Sequence, residues 1–197
     1  GASAQDMAVS APDGAFSSRI ATEGTKAEAR HRDGLVTWTA TQGTTAMDIS
    51  VQAFAFPISL TLDHGATAGS FRTDVSPAPY QGTVTLDGIT VNPELWDIFD
   101  PEGHINRAPA RLDLDLAGLA ALPSENIPTP AKSTLSIRKA ELTAGGATLA
   151  AKGDLKLDAF STPGTIVPEG NLHLTLDGGL ALLDSLHFAP GATAMEI

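Results

Sequence analysis

The sequence predicts a mainly β protein: a large curved antiparallel sheet of meander topology, partly rolled or groove-like, with one or two short helices. Three observations predict it. Apolar and polar residues alternate with period two in several separate runs, and turn signals recur between those runs. Nineteen Gly and thirteen Pro point to many turns rather than long helices. A period of two sends alternate side chains to opposite faces of a strand. Each run therefore has one apolar and one polar face, the pattern of an antiparallel sheet with one solvated side.

The elements follow in chain order. Phe54, Phe56, Ile58, Leu60 and Leu62 form the longest ladder. Pro57 inside it predicts an edge or a bulge, because proline cannot donate to a sheet. Val84 and Leu86 flank Thr85, and a short helix is expected next, over Pro93–Phe99. Asn92 stands at its N-cap, Pro93 at its first position, Glu94 in its first turn, and Asp100-Pro101 stops it. Leu95, Ile98 and Phe99, with Trp96, are expected to pack this helix on the sheet.

Leu112, Leu114 and Leu116 alternate with Asp113, Asp115 and Ala117. The segment Leu122–Pro130, with three prolines, reads as a crossing loop. Strands are expected around Leu135–Leu142 and Ala147–Leu157, joined by a turn at Gly145-Gly146. Leu155 and Leu157 flank Lys156 in the second of these. Leu172, Leu174 and Leu176 alternate with His173, Thr175 and Asp177, and a second short helix is expected over Leu180–Leu186. Asp63-His64-Gly65, Asp87-Gly88 and Asp177-Gly178-Gly179 read as reverse turns, since Gly accepts positive φ and Asp bonds the following backbone. No domain boundary stands out, so residues 1–197 read as one β domain, part of a longer chain. Gly1-Ala2-Ser3-Ala4 looks like a processed end, and Ala194–Ile197 carries no terminating signal.

Composition narrows function. Twelve Lys and Arg stand against twenty-three Asp and Glu, a net charge of −11 that repels a polyanion. Arg30-His31-Arg32, the best basic cluster, is diluted by Glu23, Glu28 and Asp33, so nucleic acid is not expected as a partner. Absence of cysteine removes disulfides, thiolate metal sites and cysteine nucleophiles. No stretch reaches the length of a transmembrane helix, so membrane association is expected only through segments outside this chain.

Residues that carry chemistry are sparse. His31, His64, His104, His173 and His187 show no ligand spacing for a metal, and none is expected. Asp113 and Asp115 share a strand face and form the tidiest carboxylate pair, fit for acid–base work or calcium. Alternating Asp also simply keeps a sheet face wet and discourages edge-to-edge pairing, which is the stronger reading. Ser185 near His187 has no nucleophile motif around it, and the Gly-rich turn lacks the Lys of a phosphate loop. No catalytic residue and no cofactor are expected.

The stretch from Gly82 to Trp96, then Asp100-Pro101 and Arg107–Gly118, resembles a family of exported bacterial proteins catalogued as domain-of-unknown-function family 2125. The later phrases Gly145-Gly146-Ala147, Ala151–Leu155, Pro168-Glu169-Gly170, Leu172–Gly178 and Leu182–Leu186 are similar too, so the resemblance spans mainly residues 82–197. It implies an exported protein of the periplasm or cell envelope and transfers no site. The strand style is also similar to AsmA- and TamB-type periplasmic proteins, whose long curved sheets have a greasy interior associated with lipid traffic.

The leading expectation is a non-enzymatic envelope protein that holds a lipid or other apolar ligand on the inner sheet face. Val84, Leu86, Leu112, Leu114, Leu116, Leu155, Leu157, Leu172, Leu174 and Leu176 would line it. The alternative is a structural or interaction module of the envelope, with that face a closed core and an acidic outer face meeting a protein partner. A hydrolase of envelope glycans or lipids is the third reading.

Overall fold

The computed structural model of the chain describes residues 3–10, 16–51, 56–103, 105–120, 133–158 and 167–179. These residues form one antiparallel sheet of eleven strands: β1 (Ser3–Ser10), β2 (Phe16–Arg32), β3 (Leu35–Gln42), β4 (Thr45–Val51), β5 (Ile58–Leu62), β6 (His64–Arg72), β7 (Ala78–Val91), β8 (Ala110–Ala120), β9 (Ser133–Ala144), β10 (Ala147–Asp158) and β11 (Val167–Asp177). One helix, α1 (Pro93–Phe99), follows β7. The pairings of β2, β3, β6, β7, β5 and β4 close a ring, yet the ring is not a barrel.

Register explains why. Lys26 of β2 faces Thr41 of β3, and Thr22 of β2 faces Thr45 of β4, four residues on along each strand. Gln42 likewise faces Gly65 of β6 while Thr45 faces Leu62 of β5. Thus β3–β4 is one long strand interrupted once, β5–β6 is another, and the whole is a meander in sequence order with a crease across it. Gly24, Gly43-Thr44, Asp63 and Gly88 mark the crease. At Gly43-Thr44 two residues oppose one: Glu23 N–H donates to the Thr44 carbonyl, and Gly43 N–H to the Glu23 carbonyl, each at 2.9 Å.

Two expected reverse turns are therefore bends. Asp87-Gly88 lies inside β7, where Leu86 opposes Leu112 and Ile89 opposes Ala110 while Gly88 is the inserted residue at φ +74°. Asp63 separates β5 from β6 with the register preserved on both sides. A bulge with glycine in the left-handed region and a I′ hairpin turn both use positive φ, so the Asp87-Gly88 pair serves either, whereas Asp63-His64-Gly65 bends without it.

The insertion has a consequence for the faces. Leu112 and Ala110 alternate normally on β8, so their partners Leu86 and Ile89 point to one side although three residues apart. The half-buried set moves likewise from even numbers in β3 (Val36, Trp38, Ala40) to odd numbers in β4 (Met47, Ile49, Val51).

Other elements match the sequence. Gly145 and Gly146, at φ 62° and 85°, make the tight turn between β9 and β10. The hairpin between β2 and β3 turns at Asp33-Gly34, both at positive φ. Pro57 lies one residue before β5, and β5 pairs on both sides, so that strand is neither bulged at proline nor an edge. Helix α1 begins after Asn92, whose side chain makes no capping bond. It accepts from Ser59 N–H at 3.1 Å instead and donates to Glu94 at 2.9 Å, pinning the helix start to β5. Leu95 and Trp96, 100° apart on the helix, are half-buried, which turns Ile98 outward to 54% exposure instead of onto the sheet. The expected loop at 122–130, the helix at 180–186 and the start of the Phe54 ladder lie outside the described residues.

Candidate functional site

Directly paired residues of an antiparallel sheet share a face, so register assigns each side chain. One row across the sheet reads Leu86, Leu112, Leu142, Leu149 and Leu176. The next reads Val84, Leu114, Ala140, Ala151 and Leu174, and the third Gly82, Leu116, Ile137, Gly153 and Leu172. Leu155 pairs with Leu135, and Leu157 follows on the same face. All ten residues expected as a lining are thus brought to one face of β7, β8, β10 and β11.

Strand β9, between them, adds Leu135, Ile137, Ala140 and Leu142. An extra residue at Arg138-Lys139 shifts its alternation by one, so its inward set is odd-numbered before the bulge and even-numbered after it. The same face continues past the crease, where Met7, Ile20, Met47, Leu60 and Val91 form a row from β1 to β7.

This face is open among the described residues. Leu142, Leu149, Leu172, Leu174 and Leu176 keep 39 to 59% of their surface exposed, and no large side chain is fully buried. Contiguous apolar patches of more than a few hundred Å² are uncommon on monomers and mark binding surfaces.

Two cavities lie on the face. One, about 310 Å³, runs along the crease over Thr25, Gln42, Gly65, Val84 and Leu86. The other, about 320 Å³, sits beneath α1 between Ile89, Val91, Leu95, Trp96, Arg107 and Leu142. Leu86 and Leu142 flank Leu112 in one row, so a continuous apolar path joins the cavities. An aromatic corner closes the far end. Trp38 packs against Phe71 with ring centroids 6.0 Å apart and lies across Gly69, whose missing side chain makes the room.

The opposite face is polar and its charges are interleaved. Asp113 accepts from Arg111 at 2.9 and 3.0 Å, from Thr85 at 3.1 Å and from Lys139 at 3.4 Å. Arg111 also bonds Asp87. These bonds, Arg111 foremost, hold the Asp113 carboxyl down at about 2. Asp115 stands 3.8 Å from Arg138. The carboxylate pair is therefore committed to cations within the sheet. His173 pairs with Lys152 on this face and is exposed. Shallow hollows of about 560 and 490 Å³ lie here, both lined by Leu35, Ser70, Gln81 and Arg138, the second also by Arg72, Tyr80 and Leu119. Ser185 and His187 lie outside the described residues, as does His104. Among the described residues no group of three His, Asp or Glu is placed to hold a metal, and no helix is long and apolar enough to cross a membrane.

Fold and face together define an open, creased antiparallel sheet with one apolar and one charged side. No family model, curated protein or solved structure matches the chain.

Proposed function

We propose that the protein is an exported, non-enzymatic protein of the periplasm or cell envelope that holds a lipid or other aliphatic ligand on its apolar sheet face. The observation that carries this reading is the five-leucine row from Leu86 to Leu176, exposed at Leu142, Leu149 and Leu176, half-buried at Leu86 and Leu112, and joined to two cavities. Branched aliphatic side chains give a surface without directional demands, suited to chains that differ in length. The resemblance of residues 82–118 and 145–186 to exported family 2125, and of the strand style to AsmA-type proteins, supports the envelope setting.

Native mass spectrometry of protein purified without detergent, followed by organic extraction, tests the reading. A stoichiometric aliphatic species is the expected result. A bare mass that persists after incubation with envelope lipids overturns it and favours the second reading, an interaction module of the envelope. That second reading draws on the hollows of the polar face, where Arg138, Gln81 and Ser70 would meet a protein partner.

A further inference from the structure

We infer that the cavity under α1 is a headgroup site, selective for an amphiphile with an anionic head. The inference rests on the apolar-ligand reading above and deepens it. The cavity floor is Ile89 and Val91 of β7 with Leu142 of β9, and its roof is Leu95 and Trp96 of α1. Arg107 is the one cation in this lining. Its volume of about 320 Å³ lies within the ~300–1,000 Å³ of ligand pockets.

Arg107 is held in place before any ligand arrives. Its Nη2 donates to the Asp100 carbonyl at 2.9 Å and lies 3.1 Å from Asp97 Oδ1. Asp100 is itself buried and accepts from Ile105 N–H at 2.8 Å, which fixes the loop that carries Arg107. Both of the Arg107 contacts use one nitrogen, and a guanidinium has five N–H donors in a planar fork that matches a carboxylate or phosphate. An aliphatic chain on the Ile89–Leu142 floor would place its head at Arg107 and continue across Leu112 toward the crease. Asp97, mostly exposed, competes for the same guanidinium from the solvent side.

The test uses the Trp38→Phe protein, in which Trp96 is the single tryptophan reporter. It is titrated below micellar concentrations with dodecanoate, dodecyl phosphate, dodecanol and dodecyltrimethylammonium. Dodecanoate or dodecyl phosphate, whichever head the fork prefers, binds about tenfold tighter than dodecanol and shifts Trp96 emission. Arg107→Gln reduces that preference to within about twofold while dodecanol binding is retained. Asp97→Asn widens the preference, and Arg107→Lys keeps part of it. If Arg107→Gln fails to fold by circular dichroism, the Asp97→Asn and Arg107→Lys pair decides.

A preference that survives Arg107→Gln overturns the headgroup site. So does equal binding of the cationic amphiphile. Amphiphile binding by calorimetry with Trp96 emission unchanged overturns the α1 site but leaves the open face as the ligand surface. No binding of any of the four overturns both readings.

Discussion

The carboxylate of Asp63 occupies the space that a Cβ on Gly88 would need, and Asp63 N–H donates to the Asp87 carbonyl at 3.1 Å. This contact locks the crease between β5–β6 and β7. Gly88 is required twice over, by its φ of +74° and by this approach. Gly88→Ala is expected to cost on the order of 2–4 kcal/mol, about 1–2 of it from left-handed backbone and the rest from the contact. Adding Asp63→Gly should recover the contact part alone. Denaturant midpoints of the single and double variants measure the coupling, and additive losses would contradict the contact.

Acid stability follows from Asp113. Its folded carboxyl titrates at about 2 against an ordinary 3.8, a depressed value, so its contribution is complete above about pH 4 and is lost as pH falls toward 2. The contribution is about 1 kcal/mol once solvent screening at the half-exposed Arg111 is allowed for. Asp113→Asn should lose that amount at pH 7 and show a flatter stability curve between pH 4 and 2. Chemical denaturation across that range checks it.

The buried Asp100 supports the α1 loop through Ile105. Asp100→Ala leaves a buried N–H without this acceptor and should cost about 2 kcal/mol. Asp100→Asn, whose amide oxygen can still accept, should cost less than half as much. Equal losses in thermal unfolding would remove the hydrogen bond from the account.

Exposed leucines should matter little for folding. Leu174 keeps 59% of its surface in water, so Leu174→Asn forfeits well under the ~1.5–3 kcal/mol of a fully buried leucine, about 1 kcal/mol. Binding of a fluorescent alkyl probe should fall severalfold in the same variant. A large stability loss with unchanged probe binding would make Leu174 part of a closed core.

Much of this was legible in the sequence because period two is a local signal. The ladders at Leu112–Leu116 and Leu172–Leu176 needed only the alternation to be assigned a common kind of face, and register then put them on one side. The ladder of β9 was hidden because the bulge at Arg138-Lys139 slips the period between Ile137 and Ala140. Asp87-Gly88 reads as a turn in the sequence because positive φ alone does not tell a bulge from a turn. The partner strand decides, and here β8 runs on past it. The turn at Asp33-Gly34 follows the charged run Arg30-His31-Arg32, where no apolar alternation marks the end of the strand. Arg107 carried no signal at all, since its cavity is assembled from residues 89 to 144 by three strands and a helix.

The apolar face is proposed as a ligand surface. Photolabelling the purified protein with a diazirine-bearing dodecyl chain, then mapping the modified peptides, addresses it most directly. Labels are expected to concentrate on β7–β11 and α1, at face residues such as Leu86, Leu112, Leu142 and Leu174, and to be competed away by unlabelled dodecanoate. Labels confined to the polar face around Arg138 and Gln81, or scattered without competition, would contradict it.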